Sequence, residues 1–459
     1  MDTSITELIN NQKTYFNAGK TRDINNRKAA LKKLKAVIEK REKNICDALF
    51  ADFKKCEFES LLTETQYIIT ELDNTIKKIN SWARTRSVSA SLVNFPSSAK
   101  IIKEPYGTVL IIAPWNYPFQ LALSPLIGAI AAGNTAVVKP SELTPNTATI
   151  IDEIISEVFP KNHVAVVQGG KEVSEQLLEQ QWNYIFFTGS PKVGKIVYQA
   201  AAKHITPVTL ELGGKNPCIV DETADINQAA KRVVWGKFLN GGQTCIAPDY
   251  LLVAENIKQK LIVALKDEIV NAYTNTPKDS PDFPRIVNKD HFNRLKNLLN
   301  GQSVLFGGET VESELFIAPT LIDEPSLKSE VMKDEIFGPI LPILSYKNEN
   351  EIEPIISRFE KPLSLYVFSK RKHFANRIMN ENSYGGGTIN DTVVHFINKK
   401  LPFGGVGNSG IGAYHGQLTF DVFSHKKAVV RRGTWLDVPL KYAPYAGKLK
   451  YVKMLSKLF

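Results

Sequence analysis

Three side chains in this 459-residue chain have the types and surroundings that acyl-transfer chemistry needs: Cys245 in FLNGGQTCIAPDY, Asn116 in APWNYPF and Glu211 in TLELGG. A cysteine becomes a nucleophile only with a lowered pKa or a nearby base, and with donors for the oxyanion its attack creates. Gly241 and Gly242 permit an open turn that exposes both the Cys245 sulfur and its backbone N–H. Asn116 sits in a proline-bounded loop, where a neutral amide could be half of an oxyanion hole. Glu211 ends a predicted strand ahead of two glycines, and a partly desolvated carboxylate there would be a competent general base. The competing reading of Cys245 is a small apolar residue that happens to carry sulfur. Metal chemistry has little support: the seven histidines, 163, 204, 291, 373, 395, 415 and 425, are scattered, without HExxH or a Cys/His cluster. A GxSxG elbow and a Walker A loop are also missing.

Two stretches could hold a dinucleotide. In YIFFTGSPKVGK a strand runs into Thr188, Gly189 and Ser190 and then a helix, so free backbone N–H groups would face an anion. An ordinary strand–turn–helix connection looks the same. In VVKPSE, Lys139 and Glu142 emerge at a strand end, where a Lys and an acid could hold ribose hydroxyls, or simply be charges on an exposed edge. The one literal GxGxxG, at Gly405, Gly407 and Gly410, follows LPF outside any strand–helix unit and reads as a structural turn.

These groups need a scaffold. From residue 107, GTVLIIA, TAVVK, VAVVQ, YIFF and PVTLEL alternate with helical patterns at about 120–132, 145–159, 171–180 and 191–203. Five strands separated by helices predict a doubly wound parallel sheet, with its ligand at the carboxyl ends of the strands. A second α/β series follows ELGGK: CIVD, a helix at about 224–240, YLLVAE, a helix at 256–271, then FIAPTLI, ILPILSY, SLYVFS and GGTIN. The first ~95 residues read as packing helices, with Leu31, Leu34, Val37 and Ile38, and then Leu61, Leu62, Thr65, Ile68, Ile69 and Leu72, each set on one face.

Composition limits the class. Hydrophobic residues make up 43% of the chain and charged ones 23%, which excludes disorder. Of the net charge of +10, most belongs to the tail, where nine Lys/Arg from His425 onward face one acid, Asp437. The body is near neutral, so a nucleic-acid partner is not expected. The four cysteines lack CxxC spacing, and MDTSITELINNQK holds no apolar stretch, which fits a reducing cytoplasm. The longest apolar run, LALSPLIGAIAAG, falls short of the ~20 residues of a membrane span.

APWNYPF, VVKPSE, FTGS…VG, ELGGK, GGQTC, EIFGP and LPFGGVGNSG, in this order, resemble the NAD(P)-dependent aldehyde dehydrogenase superfamily from about residue 5 onward. GQTCIAPDY and the closing GIGAYHG…FDVFSHKK are similar to its class 3 branch, which acts on medium-chain, fatty and aromatic aldehydes and is usually dimeric. The resemblance implies that Cys245 attacks the aldehyde, that Asn116 and the Cys245 N–H hold the oxyanion, and that Glu211 activates the water that hydrolyses the thioester. It implies a dinucleotide held by Lys139 and Glu142 at the adenosine ribose, Gly189 and Ser190 near the dinucleotide, Glu335 at the nicotinamide ribose and Phe337 at the ring. Tyr67, Tyr117, Phe403 and His415 match positions that shape the aldehyde pocket. Glu211 favours hydrolysis over transfer to coenzyme A. Glu142 should repel a 2′-phosphate, which favours NAD, though the class often uses NADP as well. Gly241 departs from the alanine common in class 3.

The expected organisation is an NAD(P)-binding domain from 1–86 and 102–210, a catalytic domain from 211–405, and an oligomerisation segment with basic tail from 87–101 and 415–459, in a homodimer. The tail's AGKLKYVKMLSKLF interleaves lysines with Leu449, Val452, Leu455, Leu458 and Phe459. Packing, a helix near the substrate entrance and weak peripheral membrane contact are its three readings. Against aldehyde oxidation stand two other functions: a cofactor-free thiol esterase, and a non-catalytic structural or binding member of the same superfamily.

Overall fold

The computed structural model describes residues 3–91, 94–437 and 439–455. They form two compact units, the larger holding residues up to Trp82 and Pro105–Ser424, the smaller Ala83–Glu104 and His425 onward.

In the larger unit, five apolar runs become the parallel strands Thr108–Ile112, Thr135–Lys139, Val164–Val166, Tyr184–Thr188 and Val208–Glu211. Their side chains are almost all buried, as expected for strands covered on both faces. The chain steps outward from Thr108–Ile112 through the second and third strands, then returns to place Tyr184–Thr188 on the other side of the first. That reversal is a topological switch point, and the loops holding Asn116 and Gly189 both leave the sheet there. A sixth strand, Gly410–Ile411, pairs antiparallel with the edge and sets Gly410 opposite Glu211. The glycine-rich GGVGNSG turn thus closes the sheet beside Glu211. An added Cβ at Gly405 would lie 2.1 Å from the Ser409 carbonyl oxygen, so this turn needs glycine for packing.

The second α/β series forms a seven-stranded sheet, parallel except for the edge strand Ser303–Phe306. Its inner strands Pro217–Val220 and Tyr250–Ala254 flank the segment that carries Cys245. The helix Ile226–Phe238 ends earlier than the apolar pattern suggests, because a short 3-10 turn over Leu239–Gly242 takes the backbone into left-handed geometry.

The N-terminal helices bury Leu31, Leu34, Val37 and Ile38, and later Ile68, Ile69 and Leu72. Leu62 departs from that face and is 49% exposed. A π-helical turn over Leu61–Thr65 inserts an extra residue, so Glu64 turns inward beside Thr65, which keeps the expected face, while Leu61 and Leu62 are not buried. The helical reading also ends too late: past Trp82 come the strands Arg86–Val88 and Ser97–Pro105.

The smaller unit is built on a three-stranded sheet in the order Arg86–Val88, Ser97–Pro105, Ser424–Arg432. Residues 415–424, read from the sequence as part of the tail, belong to the larger unit, where Phe420 and Phe423 are buried. In the tail the helix is Leu449–Leu455, with Leu449 and Val452 exposed; Leu458 and Phe459 lie outside the described residues. No helix of the described residues is long and apolar enough to cross a membrane.

Candidate active site

A cavity of about 820 Å³ opens at the switch point between the two sheets of the larger unit. Asn116, Glu211 and Cys245 all line it, although 34 to 129 residues separate them in sequence. So do Tyr67, Tyr117, Gly189, Ser190, Glu335, Phe337 and Phe403.

Cys245 is half-buried on a loop pinned from every side. Asn240, Gly241 and Gly242 have φ values of 56°, 62° and 74°, a run of left-handed residues that reverses the chain just before the cysteine. A side chain at Gly242 would reach the Gly338 carbonyl oxygen at 2.3 Å, so only glycine fits there. Gly241 likewise occupies the conformation that costs glycine least, so the departure from alanine suits the turn. Gln243 is fully buried: its amide donates to the carbonyls of Asn240 and Arg285, and its Oε1 accepts from Val287 N. Asn216 donates to the Cys245 carbonyl at 2.8 Å, and Tyr366 to that of Ile246 at 2.6 Å. Thr244 shares a 2.7 Å hydrogen bond with the Tyr117 hydroxyl.

Asn116 reaches this loop directly, donating from Nδ2 to the Gln243 carbonyl at 3.0 Å. Glu211 is 3% exposed, and neither carboxylate oxygen has a hydrogen-bond partner. Burial holds its carboxyl well above the usual carboxylate range. Burial also pushes the Cys245 thiol up, helped by the carboxylates of Glu335 and Glu211 and offset in part by the backbone N–H groups of Cys245 and Ile246.

The far side of the cavity presents a helix start and buried polar atoms. Ser190 caps the helix Pro191–Ala202, accepting from Val193 N, so this helix start faces the cavity. The Thr188 hydroxyl and Glu335 Oε1 are buried without partners. Burial lifts the Glu335 carboxyl to about 8, with Asp249 adding to the shift. A Cβ at Gly213 would lie 2.0 Å from Glu335 Oε2. Phe337 has φ 50° and packs edge-on against Trp115.

Lys139, Glu142 and His415 are not among the lining residues. Lys139 and Glu142 pair with each other at 2.5 Å at the end of the strand Thr135–Lys139. His415 stands one layer behind, bonded through Nε2 to the Tyr67 hydroxyl at 3.2 Å and stacked on Phe403. Burial and the nearby Lys399 pull its imidazole down to about 3, so it is neutral. Sequence reasoning missed Trp115 and His291, which line the cavity in contact with each other, and Thr244. Trp115 and Thr244 adjoin the motif residues Asn116 and Cys245, a signal that could have drawn attention to them. It also missed the buried Lys55, Glu59 and Glu64, which lie in a helix connection and the helical turns after it, without motif character. Among the described residues no group of three His, Cys, Asp or Glu side chains could hold a metal ion.

Comparison with known proteins bears on this geometry. A family model described as the aldehyde dehydrogenase family matches residues 2–429. The 4,4'-diaponeurosporen-aldehyde dehydrogenase of Staphylococcus aureus is 49% identical over 455 residues, covering 99% of each chain. Aldehyde dehydrogenase family 3 member A2 of Rattus norvegicus is 46% identical over 418 residues, 91% of this chain and 86% of its own. A solved structure described as the substrate bound state of Staphylococcus Aureus AldH superposes with a TM-score of 0.97 at 48% identity, covering 98% of this chain and 99% of its own. On these matches the chain belongs to the aldehyde dehydrogenase family, and oxidation of aldehydes to carboxylic acids is its activity.

Proposed function

We propose that the chain oxidises medium-chain, fatty or aromatic aldehydes with NAD or NADP, using Cys245 as nucleophile, Asn116 and the Cys245 N–H as oxyanion donors, and Glu211 as general base. The observation that carries this reading is the meeting of those three residues in one cavity, with an unpartnered, buried carboxylate at Glu211.

The resting Cys245 thiol is protonated, since burial opposes the thiolate. As Sγ bonds to the aldehyde carbon, Glu211 accepts the thiol proton; its raised pKa makes it a stronger base than an exposed carboxylate. The oxyanion meets the second Nδ2 hydrogen of Asn116, the first being spent on Gln243. When bound, the nicotinamide supplies the acceptor for the hydride that leaves the thiohemiacetal carbon. Glu211 first releases the thiol proton to solvent, then takes a proton from water, whose oxygen attacks the thioester carbonyl; as the C–S bond breaks, Glu211 returns that proton to the Cys245 sulfur and the acid leaves.

The residues on the far side fit a dinucleotide. Glu335, with an orphaned oxygen, suits ribose hydroxyls, the helix start at Ser190 suits a phosphate, and Phe337 against Trp115 offers a wall for a flat ring. Lys139 and Glu142 would hold the adenosine ribose, and the acid at Glu142 favours NAD. The apolar side chains of Leu62, Tyr67, Leu121, Phe396 and Phe403 on the cavity wall support an apolar aldehyde, with His415 bracing Tyr67 from behind.

A homodimer is supported by the exposed apolar residues Val193, Ile196 and Tyr198 on the helix Pro191–Ala202. Light scattering on the purified chain tests it. The four free cysteines support a cytoplasmic location. The exposed Leu449 and Val452 beside Lys450 support weak peripheral membrane contact, tested by pelleting with anionic vesicles at low and high salt. Dinucleotide binding is assigned to 1–86 with 102–210, catalysis to 211–405, and oligomerisation to 87–101 with 415–459, of which 415–424 pack within the larger unit. The deciding experiment is a steady-state aldehyde panel with NAD and NADP side by side. NADH formation that survives Cys245→Ala, or ester cleavage without any oxidation, would defeat the reading.

A further inference from the structure

The short segment from Lys55 to Thr65 puts two carboxylates and a lysine under the two loops that carry Asn116 and Cys245. Glu59 and Glu64 are five residues apart, a spacing that an α-helix would turn to different faces. The π turn over Leu61–Thr65, with Gln66 N bonded to the Leu61 carbonyl, brings both inward.

Glu64 Oε2 accepts from Phe119 N at 3.1 Å and Gln120 N at 2.8 Å. These are orphan N–H groups at the start of the helix Pro118–Ala132, whose own N-cap, Tyr117, contributes no side-chain cap. The helix start fixes the two residues before it, Asn116 and Tyr117. Glu59 Oε2 accepts from Asn240 N at 3.1 Å, at the first left-handed residue before Cys245. Asn240 in turn donates to the carbonyls of Asn116, at 2.8 Å, and Gln243, at 3.2 Å. Lys55 binds Glu64 Oε1 at 2.8 Å and lies 4.2 Å from the centre of the Tyr117 ring. Both members of that ion pair are fully buried. A buried ion pair is poor value as stabilisation, since apolar residues of the same volume usually do as well or better.

We infer that Lys55, Glu59 and Glu64 are positioning residues that hold the Asn116 loop and the Cys245 loop in the mutual register the oxyanion hole requires. This rests on the roles given to Asn116 and Cys245 above.

The test compares two reactions of the same thiol in the full-length protein. Acylation by p-nitrophenyl acetate passes through an oxyanion; alkylation by iodoacetamide does not. Glu64→Gln and Glu59→Gln should each slow acylation and aldehyde kcat by about 10- to 100-fold, the cost of a misplaced reacting group. KM and the alkylation rate should stay close to native, and Glu64→Asp, which keeps the charge, should recover part of the loss. Acylation and alkylation falling together, or neither falling, would overturn the inference. If Glu64→Gln does not fold, Glu59→Gln alone decides, because it reaches the loops through Asn240. Cys245→Ala run in parallel separates the two levels: acylation persisting there removes the nucleophile assignment itself, whereas its loss with unsplit Glu59 and Glu64 variants removes only the positioning role.

Discussion

Asn116 donates its side-chain amide to the Gln243 carbonyl at 3.0 Å, which ties the end of the first parallel strand to the loop two residues ahead of Cys245. One bond therefore both locks the cysteine loop and orients the amide's remaining N–H.

Asn116→Ala should lower kcat by about 10²–10³-fold, as loss of an oxyanion donor does elsewhere. KM should change little if the donor acts mainly on the transition state. Steady-state kinetics with a saturating dinucleotide checks this, and a rise in KM alone would count against the oxyanion role.

Glu211→Gln should slow hydrolysis of the acyl-enzyme more than its formation. A pre-steady-state burst of NADH larger than that of the native chain, followed by a slower steady rate, is the expected trace. Because burial raises the native Glu211 carboxyl, its base form fills only as pH rises. The native steady rate should therefore climb with pH, and the variant should lose that limb.

The same residue predicts a stability effect of defined sign. Its folded pKa lies above the unfolded value, so the folded chain holds this proton more tightly, and the related stability is full at low pH and lost as pH rises toward the folded pKa. Glu211→Gln carries no buried charge and should be the more stable form at alkaline pH, by on the order of 1–3 kcal/mol. Melting temperatures between about pH 5 and pH 9 should show the gap closing toward the acid end.

Gly213→Ala should weaken dinucleotide binding, since the new methyl would meet Glu335 Oε2 at 2.0 Å. A tenfold or greater rise in Kd corresponds to about 1.4 kcal/mol or more, within what a displaced buried group costs. Titration of protein fluorescence with NAD reads it without turnover.

Glu142→Gln should shift preference toward NADP by removing an acid from beside the expected 2′-phosphate while leaving Lys139 in place. The ratio of kcat/KM for NADP over NAD should rise by about tenfold, the size of one partly exposed charge contact. An unchanged ratio would move the adenosine ribose away from this pair.

The five parallel strands were readable because each is a short apolar run bounded by helical periodicity, a local property of consecutive residues. Cys245 was readable with its turn because Gly241 and Gly242 mark left-handed backbone in sequence. Glu211 was readable as a strand-end acid. Its lack of any partner was not, because that depends on what fails to approach it.

Residue types suited to the chemistry, and strand ends to present them, were legible along the chain, since side-chain type, glycine position and apolar periodicity are local. Which distant groups hold them emerged only on packing: Glu59 under Asn240 across 181 residues, and Tyr67 against His415 across 348. The physical reason is that a buried charge or hydrogen-bond partner is chosen by proximity after packing. Nothing in the spacing of residues that far apart encodes which of them will meet.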